Sequence, residues 1–117
     1  MEDWKLDFEW LRIRRFVKDT LGVTGLPDLE AVLFLIGIQE SGILQDDFTK
    51  EEKQDLMHIA VCRLLSEDGY YEFEGMDTSG WPHWKPVKTF NLKGVKPQSI
   101  YLKEKVIQYF TPFFEEE

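Results

Sequence analysis

Between Pro27-Asp28 and Gly42 the chain reads LEAVLFLIGI over positions 29–38, and Glu30 is the only charged residue in that stretch. A helix that is apolar on every side is stable only where neighbouring elements cover every side. The sequence marks both ends of such a helix. Asp28 stands at the N-cap position, Glu30 places negative charge in the first turn, and Gly42 supplies a stop. The expected result is a buried central helix against which the remaining elements pack. Gly37, with no side chain, lets a neighbouring backbone come close. The uncharged run from Ala31 to Ile38 is far shorter than the about 20 residues needed to cross a bilayer.

The 117 residues are enough for one ordinary domain. A helix is expected over about residues 4–21, with Asp3 as N-cap and Gly22 as stop. On it Leu6, Trp10, Ile13 and Val17 form one stripe. Trp4, Phe8 and Leu11 form a second, on roughly the opposite side at 100° per residue. Either other elements sandwich this helix, or the second stripe is a dimer interface that packs against another copy of the chain. A third helix starts at Thr49, where Thr49 and Glu52 have the spacing of a capping box, and runs to about Glu67. Its expected main apolar face is Met57, Ala60, Val61 and Leu64, widened by Leu56 and Leu65. A last helix over about 99–110 brings Leu102, Val106, Tyr109 and Phe110 to one face, and Thr111-Pro112 ends it.

Between the third and last helices the periodicity changes. Tyr70 to Glu74 alternates as a strand, Asp77-Thr78-Ser79-Gly80 has turn chemistry, and Trp81 to Val87 is the return. This is a β-hairpin over 70–88 whose second strand, carrying Pro82 and Pro86, must be an edge. The fold class is therefore α+β, mainly α: four helices with one hairpin between helices 3 and 4. The expected domain is 1–112, followed by an acidic tail at 113–117. The order of elements resembles a winged-helix domain with the hairpin as wing. In such a domain the third helix would read DNA. Here its first half, Thr49 to Asp55, is net acidic, whereas base edges are read by Arg, Lys, Asn and Gln. A winged fold with this helix reads protein.

The segment Glu51–Trp84, EEKQDLMHIAVCRLLSEDGYYEFEGMDTSGWPHW, resembles a family of small bacterial cytoplasmic proteins of the Bacteroidetes type. The resemblance covers about a third of the chain. It implies a bacterial cytoplasmic setting. It carries no catalytic residues across, since the family has no assigned activity.

Charge and cysteine use limit the partners. With 14 Lys and Arg against 22 Asp and Glu the net charge is −8, which repels phosphate backbones except where basic residues cluster. They cluster modestly, at Arg12, Arg14, Arg15 and Lys18, so nucleic-acid binding is the least favoured reading. Cys62 is the lone cysteine and no intrachain disulfide can form. The segment MEDWKLDFEW lacks the basic start and apolar core of a secretion signal. A cytoplasmic location is expected.

Two constellations carry the chemistry. Asp55, His58 and Cys62 share a helix face, and His83 on the hairpin would add a fourth group, a set of zinc-ligand types. A structural metal site normally brings paired Cys or His spacings, and these are missing. As a nucleophile Cys62 is poorly placed, past mid-helix with Asp55 as its nearest charge. Glu72, Glu74 and Asp77 lie close to His83 and suit acid–base work or a solvated strand face. The more distinctive segment is Trp81-Pro82-His83-Trp84. Strand alternation puts Trp81 and His83 on one face, Pro82 and Trp84 on the other, with Tyr71 on the facing strand. The expected function is a non-enzymatic protein-interaction module that binds its partner through Trp81, His83, Trp84 and Tyr71, with neither cofactor nor metal. The alternative is a small metal-dependent or acid–base enzyme using His58, Cys62 and His83. No Gly-rich phosphate loop is present.

Overall fold

A computed structural model describes residues 3–43, 45–88 and 98–115. Four helices, α1 (Asp3–Leu21), α2 (Leu29–Ser41), α3 (Lys50–Ser66) and α4 (Gln98–Glu115), enclose in sequence an antiparallel hairpin of β1 (Tyr71–Met76) and β2 (Pro82–Pro86) between α3 and α4. This is the expected α+β, mainly helical class. The described residues form two compact units, one combining 3–29 with 98–115, the other spanning 30–88. No helix among the described residues is long and apolar enough to cross a membrane. The expected loop at Gly94 and Pro97 and the tail residues Glu116 and Glu117 lie outside the described residues.

In the unit of α1 and α4, the first stripe of α1 is buried as expected: Leu6, Trp10, Ile13 and Val17. From α4 come Leu102, Val106, Ile107 and Phe110. Aromatic rings join the two helices. Phe16 meets Phe110 at 5.7 Å and Phe114 at 5.3 Å between centroids, both edge-on. The Arg12 guanidinium lies 4.3 Å over the Phe114 ring. The Arg14 guanidinium donates to the Pro27 carbonyl at 2.6 Å and to the Leu26 carbonyl at 3.3 Å. Two of the four clustered basic residues are thus engaged within the chain.

The end of α4 corrects the sequence reading. The helix does not stop at Thr111-Pro112; Pro112 lies inside it and helical residues continue to Glu115. An interior proline removes a backbone donor and costs about 3 kcal/mol. The gain beyond it offsets that cost, because continuing the helix seats Phe114 against Phe16, Phe110 and Arg12. The Thr111 hydroxyl also donates to the Ile107 carbonyl at 2.7 Å.

In the other unit, α2 is covered as its composition demands, and only Glu30 and Gln39 in the helix are exposed. Its contact with α3 is made at Gly37. A Cβ built there would stand 2.6 Å from the Leu56 carbonyl carbon and 2.9 Å from Leu56 Cβ, so the α3 backbone occupies the space a side chain needs. The α3 N-terminus carries the expected capping box: Glu52 N–H donates to Thr49 Oγ1 at 3.1 Å and Thr49 N–H to Glu52 Oε1 at 2.8 Å. That second bond holds the Glu52 carboxyl below its ordinary pKa. The buried face of α3 differs from the expected one. Leu56, Ile59, Ala60, Cys62, Leu64 and Leu65 are buried, while Met57 and Val61 are only half-buried. Because Gly37 draws α3 in at Leu56, the face turns toward Leu56 and away from Met57.

Gly37→Ala is expected to lower the unfolding free energy by at least about 2 kcal/mol, since helix backbones rather than flexible side chains must separate. Thr49→Ala is expected to cost about 1 kcal/mol through the lost cap. Denaturant unfolding of both variants checks the order of the two effects.

Candidate functional site

The hairpin is short, twisted and irregular, and its irregularity sets which side chains meet. Tyr71 pairs with Pro86, Glu72 with Lys85 and Phe73 with Trp84; then the register shifts, Gly75 pairing with His83 and Met76 with Pro82. Glu74 is the extra residue of a β-bulge. Gly75 has φ 112°, a conformation that favours glycine. Simple alternation from Phe73 would put Met76 on the opposite side. The bulge returns it to the side of Phe73, Pro82 and Trp84.

The turn is closed by one carboxylate. Asp77 Oδ1 accepts from Ser79 N–H at 2.9 Å and Trp81 N–H at 3.0 Å, and Asp77 Oδ2 lies 2.9 Å from His83 Nε2. The backbone adds Asp77 N–H to the Trp81 carbonyl at 2.9 Å. The hydrogen bond to His83, followed by that from Trp81, holds the Asp77 carboxyl below its ordinary pKa. Of the three acidic residues near His83 in sequence, Asp77 is the one that reaches it.

The flank bearing Phe73 and Trp84 is apolar. Their rings are 5.2 Å apart and tilted. Phe73 and Met76 are each 51% exposed, Trp84 is half-buried and Pro82 buried. These four, with Glu40 of α2 and Arg63 of α3, line a cavity of about 270 Å³. Its rim is an ion pair, Arg63 Nε to Glu40 Oε1 at 3.3 Å, extended by Arg63 Nη1 to Glu67 Oε1 at 2.6 Å. The Trp84 indole Nε1 is buried and has no hydrogen-bond partner among the described residues. The opposite flank, which shows Glu72, Glu74, His83 and Lys85, is exposed and charged. Phe73 and Trp84 share a flank that meets α3 and overhang it, while Trp81 lies with His83.

A second cavity, of about 380 Å³, is lined by Asp55, His58 and Ile59 of α3 and by Asp77, Trp81, Pro82 and His83. It gathers Trp81 and His83 as alternation foresaw, while Pro82 borders both cavities. Tyr71, half-buried, turns its ring edge to His58 at 6.2 Å between centroids. His58 Nε2 lies 3.5 Å from the Cys62 sulfur. Cys62 is buried, and that burial raises its thiol to a pKa of about 11. The cause is desolvation rather than the charge of Asp55. Among the described residues, no three His, Cys, Asp or Glu side chains gather in a way that would hold a metal ion. His58, Cys62 and His83 therefore do not form a ligand set.

Phe73, Met76, Arg63 and Glu40 were not singled out from the sequence. Phe73 was within reach, because it shares strand parity with Tyr71. Met76 needed the bulge, and the Glu40–Arg63 pair needed the α2–α3 crossing. On α1, the sequence-designated dimer residues Trp4 and Phe8 are 68% and 61% exposed, and Leu11 is half-buried. Comparison with protein-family models, curated proteins and solved structures finds no match for this chain.

Two measurements check this geometry. In an NMR titration, the Ser79 and Trp81 amide shifts are expected to follow Asp77, with a midpoint below the ordinary value of 3.8. A carboxyl with a depressed folded pKa contributes stability above its unfolded pKa and loses it as pH falls through the folded value. The turn therefore keeps its contribution at neutral pH and loses it only in strong acid; midpoints at or above the ordinary value contradict the arrangement. Second, Cys62 is expected to react with a maleimide at neutral pH only at the rate of global unfolding, because a buried neutral thiol is no nucleophile. Rapid native-state labelling contradicts its assigned burial and revives the cysteine-enzyme reading.

Proposed function

We propose that this chain is a non-enzymatic protein-interaction module whose hairpin receives an apolar side chain from a segment of another protein. The observation that supports it is the Phe73–Trp84 pair over its cavity, with Phe73 and Met76 half in water. The dimensions favour this occupant. At about 270 Å³ the cavity falls below the 300–1,000 Å³ typical of small-molecule sites. It suits one anchoring side chain, and aromatic anchors in pockets dominate binding energy at protein interfaces. The charged rim of Glu40 and Arg63 orients the docking segment without adding much affinity. The buried Trp84 N–H without an acceptor costs about 1–3 kcal/mol.

Trp81, His83 and Tyr71 belong to the same reading as supports. Trp81 and His83 are tied to the Asp77 turn, and Tyr71 braces the ribbon on His58. The acid–base alternative rests on His58, Asp55 and the Asp77–His83 pair around the second cavity. It is the weaker reading. Asp77 and His83 are exposed to water, so their electrostatics are damped, and the only thiol is buried and neutral. A bacterial cytoplasmic setting, where a lone reduced cysteine is ordinary, is part of the proposal.

A photo-crosslinking residue placed at position 73 of the full chain in its host tests the reading, with position 72 on the charged flank as control. The expected result is a discrete adduct at 73, absent at 72, that maps to one apolar-anchored segment of a different protein. Met76→Asp should abolish it while changing stability by no more than about 1 kcal/mol. Equal adducts at both positions, none at either, or an adduct only with another copy of the chain overturns the reading.

A further inference from the structure

We infer that the outer face of α1 is a homodimer interface in which a second copy of α1 packs antiparallel. This does not depend on the hairpin reading. The outer stripe, Trp4, Phe8, Leu11 and Arg15, follows steps of four, three and four, with Leu11 half-buried and the other three exposed. That is the spacing of a seam between two paired helices, period 3.5, rather than of scattered surface residues. It lies opposite the buried stripe of Leu6, Trp10, Ile13 and Val17, so one side of α1 serves its own unit and the other is turned to solvent. Trp4 and Phe8, 68% and 61% exposed, are two large aromatic side chains within one helical turn. Aromatics of this kind are the residues that anchor interfaces.

Charge selects the occupant and its direction. Among its exposed residues the first half of α1 holds Asp3 and Asp7 against Lys5, and the second holds Arg12 and Arg15 against Asp19. A parallel copy would set acid beside acid and base beside base. An antiparallel copy sets each acidic half beside the other's basic half, twice over, as a two-fold axis near the middle of the stripe requires. Phe8 then packs near Leu11 of the second copy, and Trp4 meets its Arg15, a cation over an indole face. Asp7 and Arg15 are exposed and make no ion pair with any described residue of their own chain, so both remain available. The chain as a whole carries −8 and repels its copies, so the local complementarity on α1 is what opposes that repulsion.

Sedimentation equilibrium of the full, untagged chain from about 1 μM to about 1 mM tests this. A monomer–dimer equilibrium is expected. Phe8→Ala should weaken it at least about tenfold, as loss of an interface anchor does. Asp7→Lys and Arg15→Glu should each weaken it, because each removes part of the opposite charge that the facing halves bring together. Circular dichroism melts show that each variant is folded; all three substituted positions are exposed. Three results overturn the inference: a monomer at every concentration, a dimer indifferent to Phe8→Ala, or a dimer that neither charge reversal weakens.

Discussion

The backbones of α2 and α3 meet at Gly37 with no side chain between them. That contact governs the rest of its unit. It lets an almost wholly apolar helix cross a second helix with the two backbones in direct contact at one point, where dispersion contacts are densest. It also sets the rotation of α3. With Leu56 drawn against Gly37, Ile59 and Cys62 go inward, Met57 and Val61 stay half in water, and His58 and Arg63 emerge on the sides that the hairpin meets. The charged rim of the hairpin cavity follows from the same crossing, since Glu40 and Arg63 come from the two helices it joins.

The hairpin shows how a small irregularity concentrates function. A regular ribbon with this sequence would divide Phe73 and Met76 between its two flanks. The bulge at Glu74, permitted by the positive φ of Gly75, gathers them beside Trp84 and leaves Glu72, Glu74, His83 and Lys85 to the other flank. Asp77 holds the turn with one carboxylate serving three donors. Two prolines in β2 are tolerated because a two-stranded ribbon is all edge. They also discourage a further strand from adding at the β2 edge.

How much was legible varied with the distance over which each feature is decided. The capping box of α3 was plain in the sequence, because Thr49 and Glu52 satisfy each other's neighbourhood within one turn. The buried stripe of α1 and the closure of α2 were equally plain, since periodicity states which side must leave water. The end of α4 was misread. Pro112 is a local stop, and what carried the helix past it was the packing of Phe114 on Phe16, nearly a hundred positions away in the chain. Among site residues, Trp84 and His83 were found from strand alternation, while Met76 and the Glu40–Arg63 pair were out of reach because a register shift and a helix crossing placed them.

The sequence by itself determined the class of the fold, the order of its elements, the capping of α3, the inert character expected of a lone mid-helix cysteine, and the two-sided nature of α1. These are written in propensity, spacing and charge within a few turns of chain. Tertiary structure decided how α3 is rotated, which hairpin flank carries the aromatic residues, that Asp77 rather than Glu72 or Glu74 holds His83, and that α4 runs through its proline. Each of these turns on the free energy of contacts between segments distant in the chain, which local preference cannot encode and which, at a few kilocalories per mole, outweighs it.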